Sequence, residues 1–348
     1  MLDLFDTARL RRTFELAPGH HTHPNPGVGA IVVKDGVVVG EGFHSGPGSD
    51  HAEVVALAAA GDAGRGSELY VSLEPCSYQG RTPPCVDAVL AAGISRIVIG
   101  IEDPDAKVSG RGVAALREAG VEVVLSDEPQ AAESVDPAYF HHRRTGFPRV
   151  TAKFAMTLDG SVAAIDGTSQ WITSPEARQD AHLLRSQVDA VVVGAGTLRS
   201  DDPRLDVRLD GYAGPQPRPV IVAGSGALPV GSQIWALNPL VITAEGGSAP
   251  GGEILEISGD APPAPALVSA ALGDMGYLDI LVEGGPTLVA SWWAAGVITR
   301  GFAYIAAKVG GGAGVPPLAG AFGNIDDARK VEIFDVQSVG PDVRIGFQ

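Results

Sequence analysis

HAEVVALAAAGDAGRGSELYVSLEPCSYQGRTPPCVDAVLAAGISRIVIGI, residues 51 to 101, passes twice from an apolar helical segment into a short strand. HAEVVALAAAG (51–61) reads as a helix stopped by glycine, and ELYVSL (68–73) as a buried strand. PPCVDAVLAAG (83–93) reads as a helix entered through prolines, and RIVIGI (96–101) as the next strand. Outward from this stretch the alternation continues. On the N-terminal side, VGAIVV (28–33) and VVVGEG (37–42) flank Lys34-Asp35-Gly36, a hairpin signal, and MLDLFDTARLRRTFELA before them is an amphipathic helix. On the C-terminal side, GVAALREAG (112–120) and VEVVL (121–125) add one more helix and strand. The expected fold class is α/β, a sheet with helices on its faces.

A chain of 348 residues exceeds what one core usually organises, so two domains are expected. The pattern resets at HHRRTGFPR (141–149), after which VTAKFAMTLDG opens a second set of strands. That predicts domains of residues 1–145 and 146–348, with His141 and His142 in the linker. Gly246 to Pro265, rich in Gly, Pro, Ala and Ser, reads as a surface excursion of the second domain. No internal repeat is visible.

Composition narrows the function classes. With 45% hydrophobic and 19% charged residues, the chain is that of a globular protein, and no apolar run is long enough to span a bilayer. The N-terminus lacks the basic-then-apolar order of a signal peptide, so a cytoplasmic location is expected. A net charge of -16 argues against a nucleic-acid partner, which needs a basic face.

The only two cysteines, Cys76 and Cys85, lie in EPCSYQGRTPPC (74–85). They can form a disulfide, remain two unrelated thiols, or bind metal with a third partner; in a reducing compartment the disulfide is disfavoured. The third partner is at hand. His51 opens one predicted helix and the cysteines lie before the next, at the same end of one sheet. One imidazole and two thiolates leave a zinc ion with an open fourth position, the arrangement of catalytic zinc. Such an ion acidifies bound water toward neutrality. Glu53, two residues from His51, is then placed to carry protons between that water and a substrate nitrogen. HxE followed by PC and a second Cys is a signature of zinc deaminases of nucleobases, although here eight residues separate the cysteines instead of two. His20, His21 and His23 resemble a second metal cluster, but a surface loop is the better reading.

HPNPGVGAIVV, HAEVVAL, EPCSYQGRTPPC and DPDAKVSGRG occur in this order and resemble the deaminase half of the bifunctional deaminase/reductases of riboflavin biosynthesis. AKFAMTLDG, SQWITSPEAR, LLRSQVDAVVVGAGTLRSDDPRLDVR and ILVEGGPTLVASW resemble the reductase half. The resemblance implies a cytidine-deaminase-like α/β/α domain followed by a dihydrofolate-reductase-like α/β domain, one zinc per chain, and NADPH. It implies that His51, Cys76 and Cys85 hold the zinc and that Glu53 carries the protons. Asn25, His44, Arg81 and Thr82 match positions that contact the base or the ribose phosphate. Where the family often reads DPNP this chain has Asp103-Pro104-Asp105-Ala106, so Asp105 replaces an asparagine contact.

For the reductase, the resemblance matches Ala155, Trp171, Thr197, Asp201 and the run Gly285, Pro286, Thr287, Leu288, Val289, Ala290 and Ser291 to NADPH-contacting positions. Lys153, Ser169, Arg185, Leu205, Arg208 and Glu283 match substrate-side ones. Val222-Ala223 stands where the family often has Asp-Ser. From the residues alone, DILVEGGPTL (279–288) is a buried strand running through glycines into a helix whose N-terminus suits a phosphate. The implied substrate is a phosphorylated pyrimidine riboside, and the implied assembly a homodimer through the reductase domain. Two rivals remain: a nucleic-acid-editing deaminase with an accessory domain, and a zinc-stapled binding module without catalysis.

Overall fold

The structure is a computed structural model that describes residues 2–80, 82–318 and 324–348. The chain divides into two compact units, one ending at Gly146 and the other spanning Phe147–Gln348.

The first unit opens with helix α1 (Leu4–Leu16), N-capped by the Asp3 side chain. Strands β1 (Gly29–Lys34) and β2 (Val37–Phe43) form the expected hairpin. Helix α2 (Ala52–Ala60), strand β3 (Glu68–Val71), helix α3 (Cys85–Ala92), strand β4 (Arg96–Ile99), helix α4 (Arg111–Glu118) and strand β5 (Glu122–Leu125) follow. The sheet order is β2-β1-β3-β4-β5, antiparallel across the first three and parallel beyond. Ile31, Val33, Tyr70 and Val98 on one face pack with Leu10 of α1. On β2, Gly40 and Gly42 let α2 lie directly against the strand. A Cβ at Gly40 would sit 2.2 Å from the Ala56 carbonyl oxygen, and one at Gly42 2.5 Å from that of Ala52. These glycines fix the height at which α2 begins, and with it His51 and Glu53.

Short helix α5 (Pro129–Glu133) and helix α6 (Pro137–Thr145) complete this unit. Residues 141–145, His141 and His142 included, therefore belong to a helix and not to a linker. Asp136 caps its start, Pro137 takes a first-turn position, and Gly146 ends it at φ 77°. His23 corrects the surface-loop reading too. Its side chain is 2 % exposed and its Nε2 lies 3.0 Å from Asp136 Oδ1.

The second unit runs β6 (Arg149–Thr157), α7 (Pro175–Arg185), β7 (Ala190–Gly194), α8 (Ala195–Asp201), β8 (Arg218–Val222), β9 (Leu240–Ala244), β10 (Glu253–Ile257), α9 (Pro265–Asp274), β11 (Asp279–Val282), α10 (Pro286–Ala294), β12 (Arg300–Ala306), β13 (Ile333–Val339) and β14 (Asp342–Phe347). The sheet order is β10-β9-β8-β7-β11-β6-β12-β14-β13, parallel except where β14 joins β12 and β13. Successive residues of β7, β8, β9 and β11 feed two cores. Val191, Ile221, Val241 and Leu281 pack on one face, and Val192, Val220, Leu240, Ile280 and Val282 on the other. Burial on both faces explains why these strands read as unbroken apolar runs. The Gly246–Pro265 stretch is only partly an excursion, because β10 within it pairs with β9.

Between β6 and β7 in sequence the chain steps over β11, so the C-terminal ends of these three strands surround a point where strand order reverses. Open α/β sheets place their ligands at such points.

Candidate functional site

In the first unit, His51 is the N-cap of α2 and Cys85 the first residue of α3, so successive helix starts bring them together. His51 Nδ1 lies 3.0 Å from Cys85 Sγ and 3.5 Å from Cys76 Sγ, and the three atoms lie within 4.8 Å of one another. Both cysteines are free thiols, which removes the disulfide reading. A tetrahedral zinc with sulfur at about 2.3 Å and nitrogen at about 2.0 Å sets its ligand atoms about 3.5 Å apart, so the donor set fits in kind and spacing. His51 Nε2 lies 3.3 Å from Thr82 Oγ1, a contact that orients the ring with Nδ1 toward the sulfurs.

Glu53 is 3 % exposed, and burial pushes its carboxyl above the usual carboxylate range. It lines a cavity of about 350 Å³ together with Asn25, His44, His51, Cys76 and Thr82. His44 Nδ1 lies 3.1 Å from the Asp50 carbonyl and its Nε2 3.0 Å from Asn25 Nδ2. With Nδ1 donating to the carbonyl, Nε2 accepts from the Asn25 amide. Burial, aided by the charge of His51, lowers the His44 pKa and favours this neutral ring. The Asn25 carboxamide oxygen is thereby left for a substrate donor. Asp105 lines the same cavity, whereas Arg81 lies outside the described residues.

The sequence left several residues of this site unnoticed. Glu74, one residue before Pro75-Cys76, is 3 % exposed and accepts from the backbone N–H groups of Asp103, Gly110, Gly112 and Val113. It ties the cysteine loop to the loop carrying Asp105. Tyr139 donates to Asp103, whose carboxyl is pushed up to about 6 by burial. An acidic residue at the end of a buried strand, beside a metal motif, was the one signal for Glu74.

In the second unit, β6 and β11 pair in register through Ala152 and Val282, which sets Lys153 beside Glu283. Lys153 Nζ is 3.7 Å from Glu283 Oε2, and Arg185 grips both Glu283 oxygens at 2.6 and 3.2 Å. Burial alone would push Glu283 up, but Arg185 and Lys153 hold it at about 2. Arg185 also donates to the Asp206 carbonyl at 3.0 Å, and Arg208 pairs with the Asp206 carboxylate. The pair between Arg185 and Glu283 is largely shielded from water, with side chains 13% and 9% exposed.

Thr197 Oγ1 accepts from Gly285 N–H at 2.9 Å, which joins the start of α10 to α8. Leu205 and Val289 are each 1 % exposed, enclosed in the two cores of the unit. Trp171 is 61% exposed; it stacks with Arg178 and its carbonyl accepts from Lys308 at 2.6 Å. Ser169 is half-buried, and Ala155 lies two residues beyond Lys153 on β6. Asp201 ends α8 exposed, and Ser291 turns its hydroxyl back to the Leu288 carbonyl. Val222 and Ala223 are buried and apolar, so no polar side chain stands at these two positions.

A His-Cys-Cys cluster with a helix-borne Glu in one α/β unit defines the class of a zinc deaminase, here joined to a second α/β unit that gathers Lys153, Arg185 and Glu283 where its strand order reverses. The family model "Cytidine and deoxycytidylate deaminase zinc-binding region" matches residues 5–101, and "RibD C-terminal domain" matches residues 148–345. The chain is 38% identical over 340 residues to the riboflavin biosynthesis protein RibD of Aquifex aeolicus, covering 94% of this chain and 93% of that one. Among solved structures, Acinetobacter baumannii RibD superposes with a TM-score of 0.91 at 32% identity, covering 99% and 98% of the two chains. The Thermotoga maritima diaminohydroxyphosphoribosylaminopyrimidine deaminase/5-amino-6-(5-phosphoribosylamino)uracil reductase gives 0.88 at 31% identity, with coverage of 99% and 98%. The chain belongs to the RibD family, the bifunctional deaminase/reductases of riboflavin biosynthesis, and its cofactors are zinc and NADPH. Among the described residues no helix is long and apolar enough to cross a membrane.

Proposed function

We propose that the first unit hydrolytically deaminates a diaminopyrimidine bearing an N-linked ribose phosphate, and that the second reduces the ribosyl group of the product to ribityl. The observation that carries the reading is the convergence of His51, Cys76 and Cys85 on one point, with Glu53 buried beside it in the cavity. In this reading those three side chains hold zinc, which supplies Lewis-acid activation of water. Glu53 takes the proton from that water and returns it to the departing amine. Asn25, held by neutral His44, accepts from the pyrimidine edge, and Thr82 with Arg81 serves the ring and phosphate side.

In the second unit, Gly285 to Ser291 with Thr197, Asp201, Ala155 and Trp171 receive NADPH, which supplies the reducing equivalents. Lys153 is the proton donor to the sugar oxygen as the ring opens. Burial lowers its pKa, so its proton is more readily given up. Glu283 holds Lys153 in place, while Arg185, Arg208, Ser169 and Leu205 orient the substrate. The proposal extends to a cytoplasmic enzyme without a nucleic-acid partner, and to a homodimer through the reductase sheet. Exposed Ile333, Phe334 and Val336 on edge strand β13 support that last point.

Glu53→Gln tests the core of the reading. Glutamine keeps the size and cannot shuttle a proton, so zinc should stay bound while ammonia release falls about 10²–10⁴-fold or more. NADPH oxidation on already deaminated substrate should continue at nearly the normal rate. Retained deamination would remove Glu53 from the chemistry, and loss of zinc would make it a ligand.

A further inference from the structure

We propose that Arg143 is a positioning and specificity residue of the deaminase pocket, cancelling the charge of Asp105 so that the pocket accepts an anionic substrate. The inference rests on the reading of the cavity as the site of a phosphorylated pyrimidine riboside.

Arg143 stands in the last turn of α6. Its guanidinium lies 4.7 Å from the ring centroid of Tyr139, four residues earlier on the same helix, and Tyr139 lines the cavity. From that seat the side chain reaches two loops. Its Nη2 donates to the Pro24 carbonyl at 3.1 Å, next to Asn25, and its Nε lies 3.3 Å from Asp105 Oδ2. Pro24, Asn25 and Asp105 all line the cavity. Both charged side chains are 23% exposed, so water screens the pair only partly. The Nε–H has no aligned hydrogen bond, which makes its contact with Asp105 mainly one of charge.

An asparagine at position 105 would bring no charge into the pocket. A carboxylate there, in a chain of net charge -16, would repel a phosphorylated ligand at any separation below the Debye length of about 8–10 Å. Arg143 removes that repulsion while leaving the Asp105 oxygens as acceptors. Specificity of this kind works through charge complementarity and not through the reacting bond, so it belongs in KM and not in kcat.

The experiment is a double-mutant cycle in the full-length zinc-loaded protein, following ammonia release from the diaminopyrimidine ribose phosphate. Arg143→Gln should raise KM about tenfold, the size of one partly screened charge contact, with kcat within about twofold and reductase rate unchanged. Adding Asp105→Asn to it should bring KM back to within about threefold of wild type, because the uncompensated charge is then gone. Arg143→Lys, which keeps the charge, should stay within about threefold of wild type. An unchanged KM in Arg143→Gln would overturn the proposal. So would a rise that persists in the double variant, which is what a clamp on Pro24 or a direct phosphate contact would give. Zinc loss in both Arg143→Gln and Arg143→Lys would also overturn it, making the residue structural. Wild-type protein that holds zinc yet releases no ammonia would instead sink the functional reading itself, and is measured first.

Discussion

His182 sits among charges that decide its protonation. Arg185, Arg208, Glu283 and Asp206 surround it, and its Nδ1 accepts from the Arg208 backbone N–H at 3.3 Å. Burial first, then the fields of Arg185 and Arg208, lower its pKa to about 4. A histidine lowered on folding is neutral in the native state over a pH range where the unfolded chain binds a proton. Stability therefore falls as pH drops from about 6.5, the unfolded value, toward the folded value of about 4. Urea unfolding of the second unit should weaken across that window, and His182→Gln should flatten this part of the profile. An unaltered slope in the variant would assign the effect to another group. Glu283 acts in a separate window: held at about 2 in place of the ordinary 4.5, it contributes stability above pH 4.5 that is lost as pH falls toward 2. Glu283→Gln leaves Arg185 and Lys153 buried without their counter-ion. It should cost roughly 3 kcal/mol and abolish NADPH oxidation while sparing ammonia release.

At the scale of elements, Asp136 organises more than the helix it caps. Its carboxylate accepts from Tyr139 N–H at 3.1 Å and from buried Gly27 N–H at 3.0 Å, and it pairs with His23. Asp136→Ala removes the acceptor of two buried backbone donors and should destabilise the first unit by roughly 3 kcal/mol, read from its urea transition. It should also raise KM for deamination, because Asn25 lies between His23 and Gly27. Stability within about 0.5 kcal/mol of wild type would deny Asp136 this role.

The same residues explain what was legible. Helices α2 and α3 and the β1–β2 hairpin carry their own punctuation in glycine, proline and apolar period, so sequence placed them. The His51, Cys76, Cys85 and Glu53 cluster was readable because zinc chemistry tolerates few residue types. Helix α6 hid behind its basic C-terminal turn, although Asp136-Pro137 is a start signal. EILEI in β10 was masked by flanking glycines and serines. Glu74, Asp136 and Arg143 hid their wider roles for another reason. Beyond the helix start at Asp136 and the strand end before Cys76, the loop groups they hold are brought from 29 to 119 residues away, and no local pattern announces those partners.

Over the whole chain, the two units carry separate cores and separate chemistry. Leu10, Ile31, Val33, Tyr70 and Val98 form one core in the first unit, while the second has a core on each face of its own sheet. Arg96 joins α1 to β4 within the first unit, gripping Asp6 at 2.7 and 2.9 Å. Every side chain placed here in the deaminase lies before Gly146, and every one placed in the reductase lies after Phe147. A core of its own is what independent folding requires. Cutting between Gly146 and Phe147 should therefore yield two fragments, each with a single cooperative urea transition. Residues 1–146 should bind one zinc and release ammonia, with no NADPH oxidation. Residues 147–348 should oxidise NADPH on deaminated substrate, with kcat/KM within about threefold of the full chain. Mixed together, the fragments should convert the diamino compound to the ribityl product through free intermediate, and a trap that consumes that intermediate should stop the second step. A folded reductase fragment without activity would mean that the first unit supplies part of its site. A folded deaminase fragment that binds zinc but does not turn over would say the same in reverse.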